Sequence, residues 1–357
     1  MTDVLDGDAI VYCEGAFNTP NGKTANGLVR FTRRYRVLGI VDSKYAGLDA
    51  GEVLDGRNAG IAIFPGIVDA VEGLRETGNS PAYLVVGLAP DGGRLGERAR
   101  ADILKALELG LDVDCGLHDF LSDDPAMRRA AEAGGASIRD VRRPPPRDRL
   151  HFFSGKIEQV DSLTVAVLGT DSAVGKRTTA WLLVRELERR GRGAELIGTG
   201  QTAWLQGARY SIMLDSLIND FISGEIEHAV WSAWRERRPD MIVIEGQGSL
   251  MNPAYPGGFE IMAAGRPNAV VLQHAPARMD YDGFPGYRIH PLDHQIKAIE
   301  IVSGKQVVAV TVNHENIAAG EVPAVCSEIT KKTGLPAFDV LLDGAEGLAD
   351  ILESLNK

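Results

Sequence analysis

The chain has 357 residues, 44% of them hydrophobic and 24% charged, with a formal net charge of −11. That length and balance carry two or three domains with ample core and exclude a disordered chain, while an acidic total without any long basic run argues against a nucleic acid or a membrane surface as the main partner. Cys13, Cys115 and Cys326 are widely scattered and odd in number, which excludes a disulfide framework and offers no metal-ligand spacing.

Residues 1–8 are acidic and lack the basic start and apolar run of a signal peptide. No stretch approaches the length of a membrane span, so a cytoplasmic protein acting on small molecules, assembled as a homo-oligomer, is expected. Apolar, β-branched runs at 9–13, 37–41, 60–64 and 82–86 predict buried strands. Helical spacing of apolar residues predicts helices at 68–76 and 97–109, then a strand at 112–115 and a helix at 125–133. Between the first two strands, Pro20-Asn-Gly-Lys-Thr24 resembles the end of a phosphate loop, but its upstream spacing is poor and it reads as an Asn-Gly turn.

This alternation predicts an α/β fold whose first part, 1–143, is a Rossmann-like domain. Arg142-Arg-Pro-Pro-Pro-Arg-Asp148 then breaks the rhythm, because three consecutive prolines continue neither a helix nor a central strand. A linker is placed at 144–160 and a second domain, of the P-loop parallel-sheet type, at 161–357. That domain is read as strands at 163–168, 194–198, 241–245, 269–273, 306–312 and 337–342, with helices at 176–190 and 214–237. No repeat of 20–50 residues is evident.

The stretch GTDSAVGKRTT, from Gly169 to Thr179, carries the strongest chemical signal. A phosphate-binding loop needs a strand, a glycine-rich turn, a lysine for the phosphates and then a Ser or Thr whose hydroxyl meets magnesium. Gly169, Thr170, Asp171, Ser172, Ala173, Val174, Gly175, Lys176, Arg177 and Thr178 fill this frame with two departures. Gly169 comes one residue early, so Thr170 holds the first-glycine position, and Arg177 stands where the metal-binding hydroxyl belongs. A guanidinium cannot ligate a metal and brings its own charge, which points to a diphosphate held without a metal ion. Thr178 stays open as a metal ligand if the loop is reset by one residue.

Other candidates sit beyond strand ends, where open parallel sheets form ligand crevices. Glu245-Gly-Gln-Gly-Ser249 supplies Glu245, Gln247, Gly248 and Ser249. The loop after 269–273 gathers His274, Arg278, Asp280 and Asp282, a proton acceptor and an anion clamp in one segment. Gly200-Gln-Thr202 also ends a strand, and Asp215 and Asp220 read as an ordinary polar helix face. No HExxH, paired CxxC or GxSxG segment is present, which lowers zinc and serine hydrolase chemistry.

Gly169 to Lys176 resembles the phosphate loop of dethiobiotin synthetase, and Ile244 to Gly248 its later glycine-rich segment. The wider pattern is similar to the D-glutamate N-acetyltransferase family: Asn21 to Leu28, GTDSAVGKRTT, EGQGSL from Glu245 to Leu250, and LQHAP from Leu272 to Pro276. Asn252 departs from the histidine of that pattern. The resemblance implies acetyl transfer from acetyl-CoA to the amino group of D-glutamate. The loop through Thr178 would bind the donor, and Gln247, Gly248 and Ser249 the acceptor. Arg278, Arg288 or Arg209 would pair with an acceptor carboxylate. His274 is the first candidate for the base and Glu245 the second, with amides around Gly246 and Gly248 as oxyanion donors. No metal is required on this reading. The alternatives are an ATP-dependent ligase or kinase of a small carboxylic acid, which would need magnesium, and a nucleotide-sensing regulator without turnover.

Overall fold

The computed structural model describes residues 6–355, so most of the acidic opening, residues 1–5, lies outside the described residues. The chain forms two compact units, one of residues 1–144 with 201–208, the other of residues 145–200 with 209–357. Each is built on a parallel sheet, the first Rossmann-like and the second of the P-loop type, as the alternation of strands and helices predicts.

In the first unit the strands are β1 (Gly7–Tyr12), β2 (Tyr35–Val41), β3 (Ala62–Phe64), β4 (Tyr83–Val86), β5 (Asp112–Cys115) and β6 (Ile138–Asp140). They lie in the order β3-β2-β1-β4-β5-β6, all parallel, which is the doubly wound order with its reversal between β1 and β4. Helices α1 (Lys23–Arg30), α2 (Ala50–Asp55), α3 (Ile67–Glu76), α4 (Glu97–Glu108) and α5 (Pro125–Gly134) connect them. The Asn-Gly segment forms a short 3-10 turn at Pro20–Gly22 that leads straight into α1, a helix that the turn signal hides. In a dinucleotide fold an acid at the end of β2 takes a ribose hydroxyl. Here that acid, Asp42, is fully buried and accepts Phe17 N and Lys44 N, each at 2.9 Å. Its carboxylate closes the neighbouring turns.

The segment 201–208 completes this unit. Its helix α7 (Gln201–Leu205) presents Leu205, fully buried, to the cluster around Phe17 and Leu28. Thr202 Oγ1 is 2.8 Å from Thr24 Oγ1, and Gln201 Oε1 accepts Arg142 Nη2 at 2.7 Å. Gln206 Nε2 donates to the carbonyls of Gly27 and Phe31 at 2.9 and 3.0 Å, joining the Phe31 amide that already caps Gly27 O at 3.0 Å. The Trp204 ring lies 3.8 Å from the Arg34 guanidinium and 4.6 Å from that of Arg139, each an attraction between cation and ring face.

In the second unit the order is β13-β12-β11-β7-β10-β8-β9, again all parallel. The ranges are β7 (Leu163–Gly169), β8 (Ala194–Gly198), β9 (Tyr210–Ser211), β10 (Met241–Glu245), β11 (Ala269–His274), β12 (Val307–Val312) and β13 (Ala337–Phe338). β7 and β10 are buried throughout, as strands covered on both faces must be. Helices α8 (Asn219–Arg237), α9 (Phe259–Gly265), α10 (Leu292–Ser303) and α11 (Val322–Thr333) pack on the face that carries Leu168, Ile244 and Leu272. The opposite face meets α6 (Lys176–Arg189), which in turn meets α12 (Glu346–Leu355).

Two expectations shift. The helix expected from 214 starts at Asn219, after a 3-10 turn at Leu214–Ser216. The strand expected over 337–342 ends at Phe338, because Asp339 Oδ1 accepts the amides of Leu341 and Leu342 and turns the chain. The proline-rich segment is followed by chain held on α8, where buried Glu227 accepts Ser154 N, Ser154 Oγ and Ile157 N. Replacing Gln206 by Ala would remove both of its hydrogen bonds to the end of α1. We expect a loss of about 1–3 kcal/mol, read as a lowered thermal midpoint of the first unit.

Candidate functional site

The phosphate-loop segment occupies the turn between β7, at the centre of its sheet, and α6. Ala173 and Gly175 have φ of +52° and +108°, left-handed conformations that bend the loop back under the first amides of α6. Those amides have no helical acceptors and, with the helix dipole, favour an anion at the loop mouth. The early glycine has a steric cause. A Cβ on Gly169 would stand 2.8 Å from Lys176 Cδ and 2.9 Å from Val174 Cγ2, so only glycine leaves the lysine its path. Lys176 Nζ donates to the carbonyls of Asp171 and Gly248 at 2.7 and 2.8 Å. Both partners are neutral, and an anionic oxygen at the mouth would compete for the ammonium.

Asp171 is fully buried and forms the hub of the site. Its Oδ1 accepts Ser172 N and Asn252 Nδ2 at 2.7 and 2.8 Å, and its Oδ2 accepts Arg278 Nη1 and Asp282 N at 3.0 and 2.8 Å. Asn252 turns its own Oδ1 to the amides of Ala254 and Tyr255, both at 2.9 Å. Arg278 also donates to Ser172 O at 2.8 Å and to Glu315 Oε2 at 2.6 Å. One carboxylate thus ties two distant loops to the phosphate loop, and Arg278 spends its guanidinium on these protein acceptors. Arg288 lies on the exposed part of the same loop, 3.4 Å from Asp280, and Arg209 is exposed elsewhere in the unit.

Gln273 joins the site from β11, although neither its residue type nor its place inside a strand marks it as a site residue. Its Oε1 accepts the hydroxyls of Thr179 and Thr311 at 2.5 and 2.6 Å, which fixes the start of α6 against the sheet. Thr178, the neighbouring residue, is half-buried. The LQHAP motif carries the only sequence hint of Gln273.

Glu245 ends β10, next to β7. It is buried, and burial raises its pKa against the pull of Arg177, the Thr199 amide and Lys176. Its Oε2 accepts Thr199 N at 3.1 Å. Gln247 Nε2 donates to Thr199 O at 2.6 Å. Gly248 has φ +49°, and a Cβ there would come within 2.0 Å of Tyr255 O. The Gly246 amide is taken by Val167 O at 3.0 Å, so it is not an oxyanion donor. Ser249 is 2% exposed, and its hydroxyl has no partner among the described residues. It lines a narrow crevice with Leu168, Gly169, Leu250, Gln295 and Ile299.

His274 ends β11 on the other side of β7. Strand alternation puts it with Val270 and Leu272 on the α10 and α11 face, whereas Glu245, alternating with Ile242 and Ile244, faces α6. The two candidate bases are therefore separated by the sheet. His274 Nδ1 is 3.0 Å from Thr170 Oγ1. Burial, then the charge of Lys332, lowers its pKa to about 4. The ring is neutral at physiological pH. Among the described residues no three His, Cys, Asp or Glu side chains cluster as metal ligands, no helix is long and apolar enough to cross a membrane, and the three cysteines are buried free thiols.

Residues 43–144 match a Rossmann-like domain of unknown function, DUF1611_N, and residues 151–349 match its P-loop counterpart, DUF1611_C. The chain is 31% identical over 284 residues to a D-glutamate N-acetyltransferase of Tritonibacter scottomollicae, covering 76% of this chain and 81% of that protein. It is 28% identical over 271 residues to a D-glutamate N-acetyltransferase of a Pseudoalteromonas species, covering 74% and 79%. The crystal structure of a DUF1611 family protein from Anabaena variabilis superposes with a TM-score of 0.88 at 27% identity, over 97% of this chain and 99% of that one.

Asp171→Asn removes the buried one of the two carboxylates that Arg278 faces and should cost about 3 kcal/mol, measured by thermal or urea unfolding. His274 gives a pH signature. Its folded pKa lies below the ordinary value near 6.5, so between those values the unfolded chain binds the extra proton and stability falls as pH drops from about 6.5 toward about 4. His274→Gln should flatten that part of a stability-against-pH curve.

Proposed function

Because this chain belongs to the DUF1611 family, we propose that it is an N-acetyltransferase that moves an acetyl group from acetyl-CoA to the amino group of D-glutamate. The observation that carries this reading is the 31% identity to a protein of that name over three quarters of the chain.

Acetyl-CoA carries a pyrophosphate and a ribose phosphate, and the loop meets such groups with Lys176, Arg177 and the first amides of α6. In magnesium-dependent loops the hydroxyl after the lysine and an acid on a neighbouring strand hold the metal. Here Arg177 replaces the hydroxyl, and Glu245 on β10 feels both Arg177 and Lys176. The donor's charge is met by protein cations. Acetyl-CoA needs no metal at this site.

The neutral amine of the acceptor attacks the thioester carbonyl, forming the C–N bond. The nitrogen becomes cationic on attack, gives up a proton, and the C–S bond breaks to release the thiolate. His274 is neutral and half-buried, and in the tautomer whose Nδ1–H donates to Thr170 Oγ1 its Nε2 receives that proton. A positioned base of this kind contributes about 10²–10⁴-fold.

Purified protein given acetyl-CoA and D-glutamate should release free thiol in step with N-acetylglutamate, detected by mass, and EDTA should leave the rate unchanged. L-glutamate and magnesium ATP are the comparison arms. Product formed only with magnesium ATP would overturn the proposal in favour of a ligase or kinase. His274→Gln should lower kcat by about 10²–10⁴-fold with little change in the KM for acetyl-CoA, and Lys176→Ala should raise that KM.

A further inference from the structure

Three aromatic rings with no part in the chemistry above stand on segments that are hydrogen-bonded to Asp171 of the phosphate loop. Tyr255 and Tyr287 are 56% and 60% exposed. Phe284 stands between them, its ring centre 6.3 Å from Tyr255 and 6.4 Å from Tyr287, at interplanar angles of 65° and 81°. These rings meet edge to face, so a planar guest can lie parallel to one of them and meet the others at its edge. Large rings held in water are unfavourable without such a guest.

The contacts that order the rings are those that order the loop. Tyr255 N donates to Asn252 Oδ1, and Asn252 Nδ2 donates to Asp171. The turn bearing Phe284 is closed by Phe284 N to Tyr281 O, Tyr287 N to Phe284 O and Tyr281 N to Tyr287 O. Asp282, inside that turn, donates its amide to Asp171 Oδ2 at 2.8 Å. Lys176 Nζ lies 2.8 Å from Gly248 O, and the next residue, Ser249, donates its amide to Tyr255 O at 3.2 Å. The backbone of Tyr255 therefore lies about one residue and two hydrogen bonds from the loop lysine. A nucleobase is separated from its 5′-diphosphate by a single ribose, roughly 6–8 Å at ordinary bond lengths.

We propose that Tyr255, Phe284 and Tyr287 form an aromatic corner for the adenine of an adenosine 5′-diphosphate moiety whose phosphates lie on the Gly169 to Thr178 loop, the base stacking on the face of one exposed tyrosine with the other rings against its edge. This rests on the diphosphate reading of that loop. Acetyl-CoA and ADP share the moiety, and stacking is indifferent to any group attached beyond the phosphates. The acetyl and pantetheine parts play no role in it.

The test measures binding of acetyl-CoA, ADP and acetyl-phosphopantetheine, which lacks adenosine, by titration calorimetry on the full chain. Changing all three rings to Leu keeps apolar surface but removes the π faces. It should weaken acetyl-CoA and ADP by on the order of 5- to 150-fold and leave acetyl-phosphopantetheine unchanged. Tyr255→Phe with Tyr287→Phe, which keeps the faces, should bind like the unaltered protein. Equal weakening of all three ligands, or none, overturns the aromatic corner. Lys176→Ala separates the two readings. If it weakens the ligands while the Leu variant binds normally, only stacking falls. If the unaltered protein binds neither acetyl-CoA nor ADP, the diphosphate reading falls and stacking with it. Binding of ADP without acetyl-CoA, lost in the Leu variant, upholds stacking and overturns acetyl-CoA as donor.

Discussion

The second unit depends on one buried carboxylate. Asp171 has no contact with solvent, and an ionised group in that position is tolerable only when its oxygens are filled by donors and a counter-charge. Four donors, one of them a guanidinium, meet that demand, from a residue next to it and from loops far along the chain. The requirement works in both directions. The carboxylate is kept by its partners, and the partners can adopt only loop shapes that reach it. Lys176, Gly248, Tyr255 and the turn around Phe284 are placed as a consequence.

The first unit shows the opposite use of a similar fold. Its strand order matches a dinucleotide-binding sheet, yet the acid at the end of β2 is consumed by two backbone amides. Architecture alone does not confer a ligand. In the second unit the departures from a magnesium-type loop are mutually consistent. Gly169 clears a path for Lys176, and Arg177 brings charge to a position where Glu245 feels it.

Central strands were legible in the sequence because burial on both faces demands continuous apolar runs, as in β7 and β10. Edge strands such as β6, β9 and β13 have two or three residues, too few for any period to register. Helices α10, α11 and α12 went unmarked because short amphipathic stretches between loops carry a weak signal. The phosphate loop was readable because its parts are consecutive. The Asp171 hub was not, since Asn252, Arg278 and Asp282 lie 81, 107 and 111 residues away. The separation of His274 from Glu245 across the sheet follows from simple alternation, but only once the neighbours of β7 are known.

Residues 201–208 belong to the first unit although the chain reaches them only after building β7, α6 and β8. Domains emerging from a ribosome usually fold in order, the earlier before the later. Here the earlier one must wait. Until Leu205 and Gln206 leave the exit tunnel, the cluster around Leu28 lacks a wall and the end of α1 lacks the two hydrogen bonds from Gln206. A ribosome stalled before that point would hold a nascent chain whose first sheet is formed in sequence but not yet sealed.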